Sequence, residues 1–337
     1  MKISVIITVY NLESYVRQAI ESVLQQTRKA DEIIVVDDGS TDASIQAIEY
    51  FGDKVKLIQM KKNSGVLVAF LAGINAASGD ILSFLDGDDV WLPEKLAKVE
   101  QAFKNRDDVM MVTHLHEWIN GSGKRTDNVD ETHKNLNRIK QAAKNEIELD
   151  ALLKNSALCY KGVWFGSAFC IRRSSLDLPA YETWVLSIPG KELSHQDQPL
   201  AAFLIYANPD KRIHLIDETL FQYRVYPTNS SGASGNVEAA IKTIDRSIAT
   251  VIRTKNIVEK NRAWREENFS QKMKLKELEF YRDLYTGNRL AALKKYVVLA
   301  ASYWDGSKKV KETKRLVACM VLGPKRFLEV KTKLRFN

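Results

Sequence analysis

The first 115 residues alternate short apolar runs with amphipathic stretches. Five runs have the length of strands, and four of them read as strands buried in a parallel sheet. The runs are Ile3–Val9, Glu32–Val36, Lys56–Gln59, Ile81–Leu85 and Val109–Val112. Apolar residues recur at helical spacing in Leu12–Gln26, Ala43–Phe51 and Val66–Ala77, with Asn11 and Ser40-Thr41-Asp42 as N-cap residues. This order predicts a doubly wound α/β fold.

The rest of the chain divides into an insertion, a second group of strands and a helical tail. Residues 117–160 are polar, and we expect a mobile insertion or lid with a helix at 147–153. Further patterns predict a strand at Trp164–Ile171, a helix at Gln198–Tyr206, and strands at Ile213–Ile216 and Leu220–Tyr223 around a turn. From Val237 the pattern is almost wholly helical. We therefore expect one domain at 1–236 and a helical region at 237–337.

The charge of the chain is unevenly distributed. The 337 residues carry a net charge of +8, but residues 251–337 hold 22 Lys and Arg against 9 Asp and Glu, a net +13. The preceding residues are therefore at −5, which argues against nucleic-acid binding by the main body and favours an anionic partner for the tail. The odd number of widely spaced cysteines, 3 in all, favours a reducing compartment. No apolar run approaches the roughly 20 residues of a membrane-spanning helix.

Polar residues follow three of the predicted strands. The loops are Thr8-Val9-Tyr10-Asn11, Asp37-Asp38-Gly39-Ser40-Thr41-Asp42 and Asp86-Gly87-Asp88-Asp89. Because the carboxyl ends of parallel strands meet at one edge, these loops should form one acidic site. Neither the G-x-G-x-x-G fingerprint nor the P-loop pattern is present. The D-x-D pair Asp86 and Asp88 therefore predicts a Mg²⁺ or Mn²⁺ site for a diphosphate, with a polar turn before the helix near Pro93 as the alternative.

The motifs, taken in order, resemble family 2 glycosyltransferases of the GT-A fold, which are inverting, metal-dependent enzymes that use nucleotide-sugar donors. The matching stretches are Val5–Asn11, Val35–Asp42, Asn63-Ser64-Gly65, Gly73-Ile74-Asn75, Ala77–Asp80 and Phe84–Asp89. The resemblance covers residues 1–115 strongly and 160–230 weakly. It implies a Rossmann-like, mostly parallel sheet flanked by helices, with a helical C-terminal extension.

The same resemblance implies roles for the acidic edge. Thr8 and Tyr10 would line a base pocket and Asp38 would accept a hydrogen bond from a base N–H, with uracil favoured and hence a UDP-sugar. Asn63 and Gly65 would lie near the donor, although Gly65 has the alternative of permitting a tight turn. Asp86, Asp88 and Asp89 would share the ribose and the divalent cation, and Arg224, ahead of Ser230-Ser231, would hold phosphate oxygens. Asp37 and Asp42 either contact ribose or cap a helix, and capping is favoured for Asp42.

Inverting transfer needs a base that takes the proton of the acceptor hydroxyl. By resemblance the base is Asp197, in Ser194-His195-Gln196-Asp197, although the usual preceding acid is Gln196 here. The alternative interpretation is that Asp197 is a helix N-cap ahead of Pro199. Gly166, Ser167 and His195 would border the acceptor.

The tail suggests where such an enzyme works. Basic residues at Lys308–Lys311, Lys314-Arg315 and Lys325-Arg326 flank the apolar run Leu316–Leu322, which is either an interfacial anchor on anionic lipid or a helix packed on the catalytic domain. We expect a cytoplasmic hexosyl- or N-acetylhexosaminyltransferase, peripheral at the inner face of the cytoplasmic membrane, that acts on a saccharide or lipid-linked acceptor in surface polysaccharide or glycolipid biosynthesis. The alternatives are a non-catalytic nucleotide-sugar-binding scaffold and a sugar-1-phosphate nucleotidyltransferase.

Overall fold

The structure, a computed structural model, describes residues 1–126, 131–159, 166–190, 193–226 and 236–336. The chain folds into two compact units, Met1–Arg224 and Val225–Asn337. The predicted domain limits, 1–236 and 237–337, stay predictions. Across the described residues, no helix combines the length and the apolar character that crossing a bilayer requires.

The first unit is built on one sheet, in which nine strands lie among the described residues. The strands are β1 (Ile3–Val9), β2 (Glu32–Asp37), β3 (Lys56–Gln59), β4 (Ile81–Asp86), β5 (Val90–Trp91), β6 (Val109–Asn120), β7 (Arg125–Thr126), β8 (Cys170–Arg172) and β9 (Arg212–Val225). Their order is β3-β2-β1-β4-β8-β6-β9-β5, with β7 paired to β6. Strands β3, β2, β1 and β4 are parallel, whereas β8 is antiparallel to both β4 and β6. The predicted α/β class is confirmed.

Helices flank the sheet and make up the second unit. In the first unit they are α1 (Val16–Leu24), α2 (Ser44–Glu49), α3 (Val66–Ala76), α4 (Lys95–Phe103), α5 (Glu131–Ala142), α6 (Glu146–Leu158), α7 (Leu178–Ser187) and α8 (Asp197–Ala207). In the second unit they are α9 (Val237–Val258), α10 (Arg265–Thr286), α11 (Arg289–Ser302), α12 (Gly306–Leu322) and α13 (Pro324–Phe336). The predicted helices at 147–153 and Gln198–Tyr206 are confirmed as α6 and α8.

Strand β1 lies at the centre of the core, and all of its residues are buried. A strand covered on both faces is mostly apolar, and in β1 only Ser4 and Thr8 are polar. Helix α3 packs on β1 closely enough that a Cβ built on Gly73 would lie 2.4 Å from Cγ2 of Ile6. Glycine at position 73 therefore sets the distance between this helix and the sheet that carries the site.

Several predicted elements differ from the structure. Strand β3 is parallel but lies at the sheet edge and is only partly buried, whereas β6 is buried but antiparallel, so three strands rather than four are both buried and parallel. Helix α1 begins at Val16 rather than Leu12, because Asn11 adopts φ 53° and its Oδ1 accepts a hydrogen bond from the Thr41 N–H at 2.8 Å. Asn11 is therefore not the N-cap of α1.

Two more differences lie in the later part of the first unit. The predicted turn at Asp217-Glu218 is part of one continuous strand, β9, in which Asp217 and Glu218 pair with Lys140 and Lys98. The predicted strand at Trp164–Ile171 is instead a 3₁₀ turn at Gly166–Ala168 followed by β8. Trp164 itself lies outside the described residues, as do Ser230-Ser231 and part of the predicted insertion at 117–160.

Candidate active site

The three predicted loops follow neighbouring strands at one edge of the sheet. In the strand register Thr8 is opposite Asp86 and Val9 is opposite Asp37. The Thr8 hydroxyl lies 3.5 Å from Oδ1 of Asp86, at the limit of a hydrogen bond. The sheet therefore brings together the ends of β1, β2 and β4, as the pattern of apolar runs indicates.

Three distant segments hold the loop Asp86-Gly87-Asp88-Asp89. The Ser167 hydroxyl accepts from the Asp86 N–H at 3.0 Å and donates to Oδ2 of Asp89 at 2.6 Å. Gln196 donates from Nε2 to Oδ1 of Asp86 at 3.0 Å. The Arg224 N–H donates to Oδ1 of Asp89 at 2.9 Å, and Arg224 Nε donates to the Asp88 carbonyl at 2.7 Å. The shape of the loop therefore depends on all three segments.

The three carboxylates of this loop differ in accessibility. Asp89 is 1% exposed and each of its oxygens accepts a hydrogen bond, from Ser167 and from Arg224. Asp86 and Asp88 are both partly accessible. In the described structure Asp89 anchors the loop, and its predicted part in metal binding stays a prediction.

The site concentrates negative charge in a region of low solvation. Burial, reinforced by the nearby charges of Asp88 and Asp197, raises the pKa of Asp86 to about 7. Burial also raises the pKa of Asp197 to about 6, and with the charges of Asp88 and Asp86 it raises the pKa of Asp89 well above its ordinary value. The free energy cost of ionising these groups together falls when a cation enters.

The carboxylates fit a divalent cation that is shared with a ligand. Within the parts of the chain that the structure describes, no three His, Cys, Asp or Glu side chains form a metal cluster. Mg²⁺ bound beside a substrate phosphate takes only one or two protein carboxylates, and phosphate and water oxygens complete its shell. Asp86 and Asp88 supply that kind of incomplete ligand set.

Asp197 is the first residue of α8, and Gln196 occupies the N-cap position without a side-chain capping bond. The Asp197 side chain accepts a hydrogen bond at Oδ1 from the Gln198 N–H at 2.8 Å. The structure therefore places Asp197 inside the helix rather than at the N-cap. The hydrogen bond from Gln196 to Asp86 places the N-terminus of α8 beside the Asp86–Asp89 loop.

The predicted base pocket combines one exposed aromatic ring with buried acceptors. Tyr10 is 43% exposed, whereas Thr8 and Asp38 are buried. The two oxygens of Asp38 accept from the backbone N–H groups of Ser64 and Gly65 at 2.7 and 2.8 Å, and Gly65 has φ 91°. Asn63 Oδ1 also accepts from the Gly65 N–H, at 3.1 Å. Asp38 therefore fixes the loop 63–65. A nucleobase N–H would donate to the remaining lone pairs of the Asp38 carboxylate.

Asp37 and Asp42 separate into different environments. Asp42 Oδ1 accepts from the Ser44 N–H at 3.0 Å, at the first residue of α2, but Ala43 occupies the N-cap position, so Asp42 is not the N-cap of α2. Asp37 Oδ2 accepts from the N–H groups of Gly39 and Ser40, whereas its buried Oδ1 has no hydrogen-bond partner among the described residues. Asp37 is thus an additional candidate acceptor beside the base pocket.

Two buried cationic side chains support the Asp86–Asp89 loop. Lys95 is not among the residues predicted from the sequence, and Arg224 is predicted there as a phosphate ligand. Lys95 donates from Nζ to the Ser167 carbonyl at 2.5 Å, next to the Trp91 ring, and burial lowers its pKa to about 8. Its position among Leu96, Val99 and Ala102 on the buried side of α4 is a sequence signal that would have identified it. Arg224 is 1% exposed, and its Nη2 donates to Gln18 at 2.6 Å. A phosphate contact by Arg224 stays a prediction.

The residues expected beside the acceptor have mixed environments. Ser167 is fully buried and Gly166 is also buried, whereas His195 is partly accessible. A Cβ on Gly166 would lie 2.6 Å from Nε2 of Gln196, so glycine permits the bond between Gln196 and Asp86. Gly166 and Ser167 therefore support the Asp86–Asp89 loop. Acceptor contacts by Gly166, Ser167 and His195 stay predictions.

Comparison with known families gives a match over the N-terminal part of the chain. The model of the family described as glycosyl transferase family 2 matches residues 4–166. The matched residues are just under half of the chain, and over them the chain is similar to glycosyl transferase family 2. The resemblance predicted from the motifs is confirmed, and the matched range contains the Asp86–Asp89 loop and ends at Gly166 in the 3₁₀ turn behind it.

Curated relatives match this chain over its N-terminal part. An uncharacterized glycosyltransferase of Nostoc sp. is 47% identical over 131 residues, and the putative glycosyltransferase EpsE of Bacillus subtilis is 35% identical over 126 residues. These matches cover 38% and 36% of this chain and 40% and 42% of those proteins. The matched part is therefore well under half of either relative.

Solved structures show the fold over a longer range. S. aureus TarS 1–349 in complex with UDP-GlcNAc has a TM-score of 0.55 at 17% identity, covering 90% of this chain and 91% of that one. The mannosyltransferase PcManGT from Pyrobaculum calidifontis, in complex with GDP-Man and Mn²⁺, has a TM-score of 0.53 at 14% identity, covering 97% and 84%. These similarities confirm the predicted GT-A type of fold.

Proposed function

We propose that this glycosyltransferase transfers a hexose or N-acetylhexosamine from a nucleoside diphosphate sugar to a hydroxyl group, with inversion at the anomeric carbon. The observation that carries the proposal is the 3.0 Å hydrogen bond from Gln196 to Asp86. It joins the loop expected to bind the donor diphosphate to the start of the helix that carries the candidate base. An inverting transfer needs these two groups beside one substrate.

Asp197 acts as the base in this proposal. A pKa of about 6 leaves the carboxylate ionised at neutral pH while keeping it a stronger base than an ordinary aspartate. It would take the proton of the acceptor hydroxyl as the oxygen attacks the anomeric carbon. Its partial accessibility is compatible with an acceptor that approaches from solvent.

Asp88 and Asp86 hold a divalent cation, Mn²⁺ or Mg²⁺, in this proposal. When bound, the cation offsets the charge that develops on the departing diphosphate. Thr8, Tyr10 and Asp38 form the base pocket, and the exposed Tyr10 ring offers a face for a nucleobase. The solved proteins of similar fold contain UDP-GlcNAc in one case and GDP-Man in another, and we favour a UDP-sugar here.

We place the enzyme in the cytoplasm, where nucleotide sugars would reach it, with a saccharide or lipid-linked hydroxyl as the acceptor in surface polysaccharide or glycolipid biosynthesis. Cys159, Cys170 and Cys319 are buried and none of them forms a disulfide in the described structure, which supports a reducing compartment. We do not propose a nucleic acid as a partner, because the excess positive charge is confined to the tail.

The proposal is tested by thermal unfolding with UDP, GDP, CDP and ADP, each with and without Mn²⁺. Ligand binding to the folded state raises the melting temperature, by an amount equivalent to about 2.7 kcal/mol at 100 times Kd. We expect a metal-dependent rise for one nucleotide in the wild type and in Asp53→Ala, a control at an exposed aspartate, and none in Asp88→Ala. No rise with any nucleotide would overturn the donor site.

Turnover separates an enzyme from a binding scaffold. Release of nucleoside diphosphate from the sugar donor that binds, followed with simple saccharides and with lipid-linked acceptors, would support transfer. Tight donor binding without release for any acceptor would favour the scaffold. Release of pyrophosphate from a nucleoside triphosphate and a sugar 1-phosphate would favour the nucleotidyltransferase alternative.

A further inference from the structure

Helix α11 in the second unit presents apolar side chains to solvent. Leu290, Leu293 and Val297 are exposed, and their spacing places them on one face of the helix. Ala292 and Leu299 are buried on the other side. The exposed apolar face is therefore additional to the one that packs in the core.

Helix α12 has the same two-sided character. Glu312, Leu316 and Cys319 are buried, whereas Val310, Val317 and Val321 are exposed, with Val321 at 76%. The apolar run Leu316–Leu322 identified in the sequence therefore divides between the two sides of the helix. One side packs within the second unit, and the other offers valines to an outside partner.

A hydrogen bond joins the two helices at residues that lie one turn from their exposed apolar side chains. The Tyr296 and Thr313 hydroxyl oxygens lie 2.5 Å apart and join α11 to α12. Leu293 is one helical turn from Tyr296, and Val310 and Val317 are each one turn from Thr313. We call these two exposed faces together the apolar ridge; it consists of Leu290, Leu293, Val297, Val310, Val317 and Val321.

The charge around the apolar ridge selects its partner. Lys294, Lys311 and Lys314 are exposed on the same two helices, and residues 251–337 have a net charge of +13. In a symmetric contact between two copies of this surface, the same lysines would meet each other and repel. Exposed apolar side chains bordered by lysines are the pattern of helices that lie in the interface of anionic lipid.

We propose that the apolar ridge and its three lysines bind an anionic lipid bilayer. The valines and leucines enter the acyl boundary while the lysines contact acidic headgroups. Taken with the proposed function, this attachment would bring the enzyme to an acceptor that is linked to lipid. Bilayer binding itself does not depend on the transfer reaction.

The test is flotation of the full chain with phosphatidylcholine vesicles and with vesicles that also contain phosphatidylglycerol, at low and high salt. We expect binding to the anionic vesicles alone and weaker binding in high salt. The triple variant Val310→Ser/Val317→Ser/Val321→Ser and the double variant Lys311→Ala/Lys314→Ala should each bind at least about tenfold less. Matched controls at exposed sites of the first unit, Ile147→Ser and Lys104→Ala/Lys144→Ala, should bind as the wild type does.

Three outcomes would overturn the proposal. They are equal binding to both kinds of vesicle, no loss in the triple or the double variant, and an oligomer that the triple variant converts to a monomer in light scattering. The last would identify a second copy as the occupant of the apolar ridge. The nucleotide-dependent rise in melting temperature, measured on the same variants, shows whether the donor site is intact, so failure of the donor site and failure of the bilayer surface are distinguishable.

Discussion

Gln196 donates a hydrogen bond to Asp86 across 3.0 Å, although the two residues are 110 positions apart in the chain. The family resemblance leads one to expect an acid at position 196, and the structure gives a reason for the amide. A neutral donor adds no charge beside Asp86, which already lies near Asp88 and Asp197. The amide also satisfies one oxygen of a carboxylate that is costly to ionise.

Gln196→Glu should therefore destabilise the free protein, and more so at high pH. Because the pKa of Asp86 is raised from 3.8 to about 7, ionising it costs stability in full above about pH 7, and this cost is lost progressively as the pH falls from 7 towards 3.8. A second carboxylate at position 196 would add to the cost. We expect a lower melting temperature at about pH 8 and a smaller difference at about pH 5.5, both measured by calorimetry.

Gln101→Glu is the matched control for this substitution, because Gln101 is exposed on α4. It should change the melting temperature little at either pH. If Gln196→Glu lowers the melting temperature equally at both pH values, repulsion between carboxylates is not the cause.

Asp197→Asn should separate catalysis from stability. Loss of a general base typically lowers the rate 10²–10⁴-fold. Because burial raises the pKa of Asp197 to about 6, its ionised form opposes folding at neutral pH, by on the order of 1 kcal/mol for each pKa unit. We expect slow turnover, unchanged nucleotide affinity and a higher melting temperature at about pH 7.5.

In the wild type, turnover should fall as the pH decreases through about 6, because Asp197 becomes protonated. The exposed control Asp210→Asn should keep wild-type turnover and stability. Full turnover in Asp197→Asn would remove Asp197 from the reaction and leave the base unassigned.

Ser167→Ala should destabilise the first unit by about 1–3 kcal/mol, because it leaves the buried Asp89 carboxylate without one of its donors. Ser156→Ala is a control of the same chemistry, since the Ser156 hydroxyl is buried without a hydrogen-bond partner in the described structure. Replacing that hydroxyl should be neutral or stabilising. Equal effects of the two substitutions in urea unfolding would contradict the anchoring role of Asp89.

Glu277 should stabilise the second unit in a pH-dependent way. Burial opposes its ionisation, but Lys274 and Lys308 outweigh burial and lower its pKa to about 2. Its contribution is therefore present above the ordinary glutamate pKa and is lost as the pH falls from about 4.5 towards 2. Glu277→Gln should cost on the order of 2 kcal/mol at neutral pH.

The loss in Glu277→Gln should shrink when unfolding is measured at about pH 3. Glu259→Gln removes an exposed pair with Lys255 and should cost less than about 1 kcal/mol. If the two glutamine variants behave alike, the buried cluster around Glu277 does not stabilise the unit.

The sequence patterns located the parallel strands well and the supports of the site poorly. Strands β1 and β3 have the predicted bounds, because an apolar run between polar turns marks where a strand begins and ends. The sequence pattern predicts two strands where the structure has β9, because Asp217 and Glu218 are typical turn residues. In the structure they form ion pairs with Lys140 and Lys98. Partners distant in the chain are invisible to a local pattern.

The same limit applies to the candidate site. The edge that carries Asp38, Asp86 and Asp88 was predictable because the carboxyl ends of parallel strands lie together. Pattern alone did not distinguish Asp88 from Asp89, since the difference comes from the bonds that Ser167 and Arg224 make to Asp89. Those bonds span 78 and 135 positions of the chain.

The three supports of the Asp86–Asp89 loop also bear on how the chain acquires its structure during synthesis. Ser167, Gln196 and Arg224 all follow residue 166, where the match to the family ends. A nascent chain that has emerged only to that point contains the three loops at the carboxyl ends of β1, β2 and β4 but not Ser167, Gln196 or Arg224, which hold the Asp86–Asp89 loop. The loop is therefore expected to take its final shape late, once Arg224 has left the ribosome.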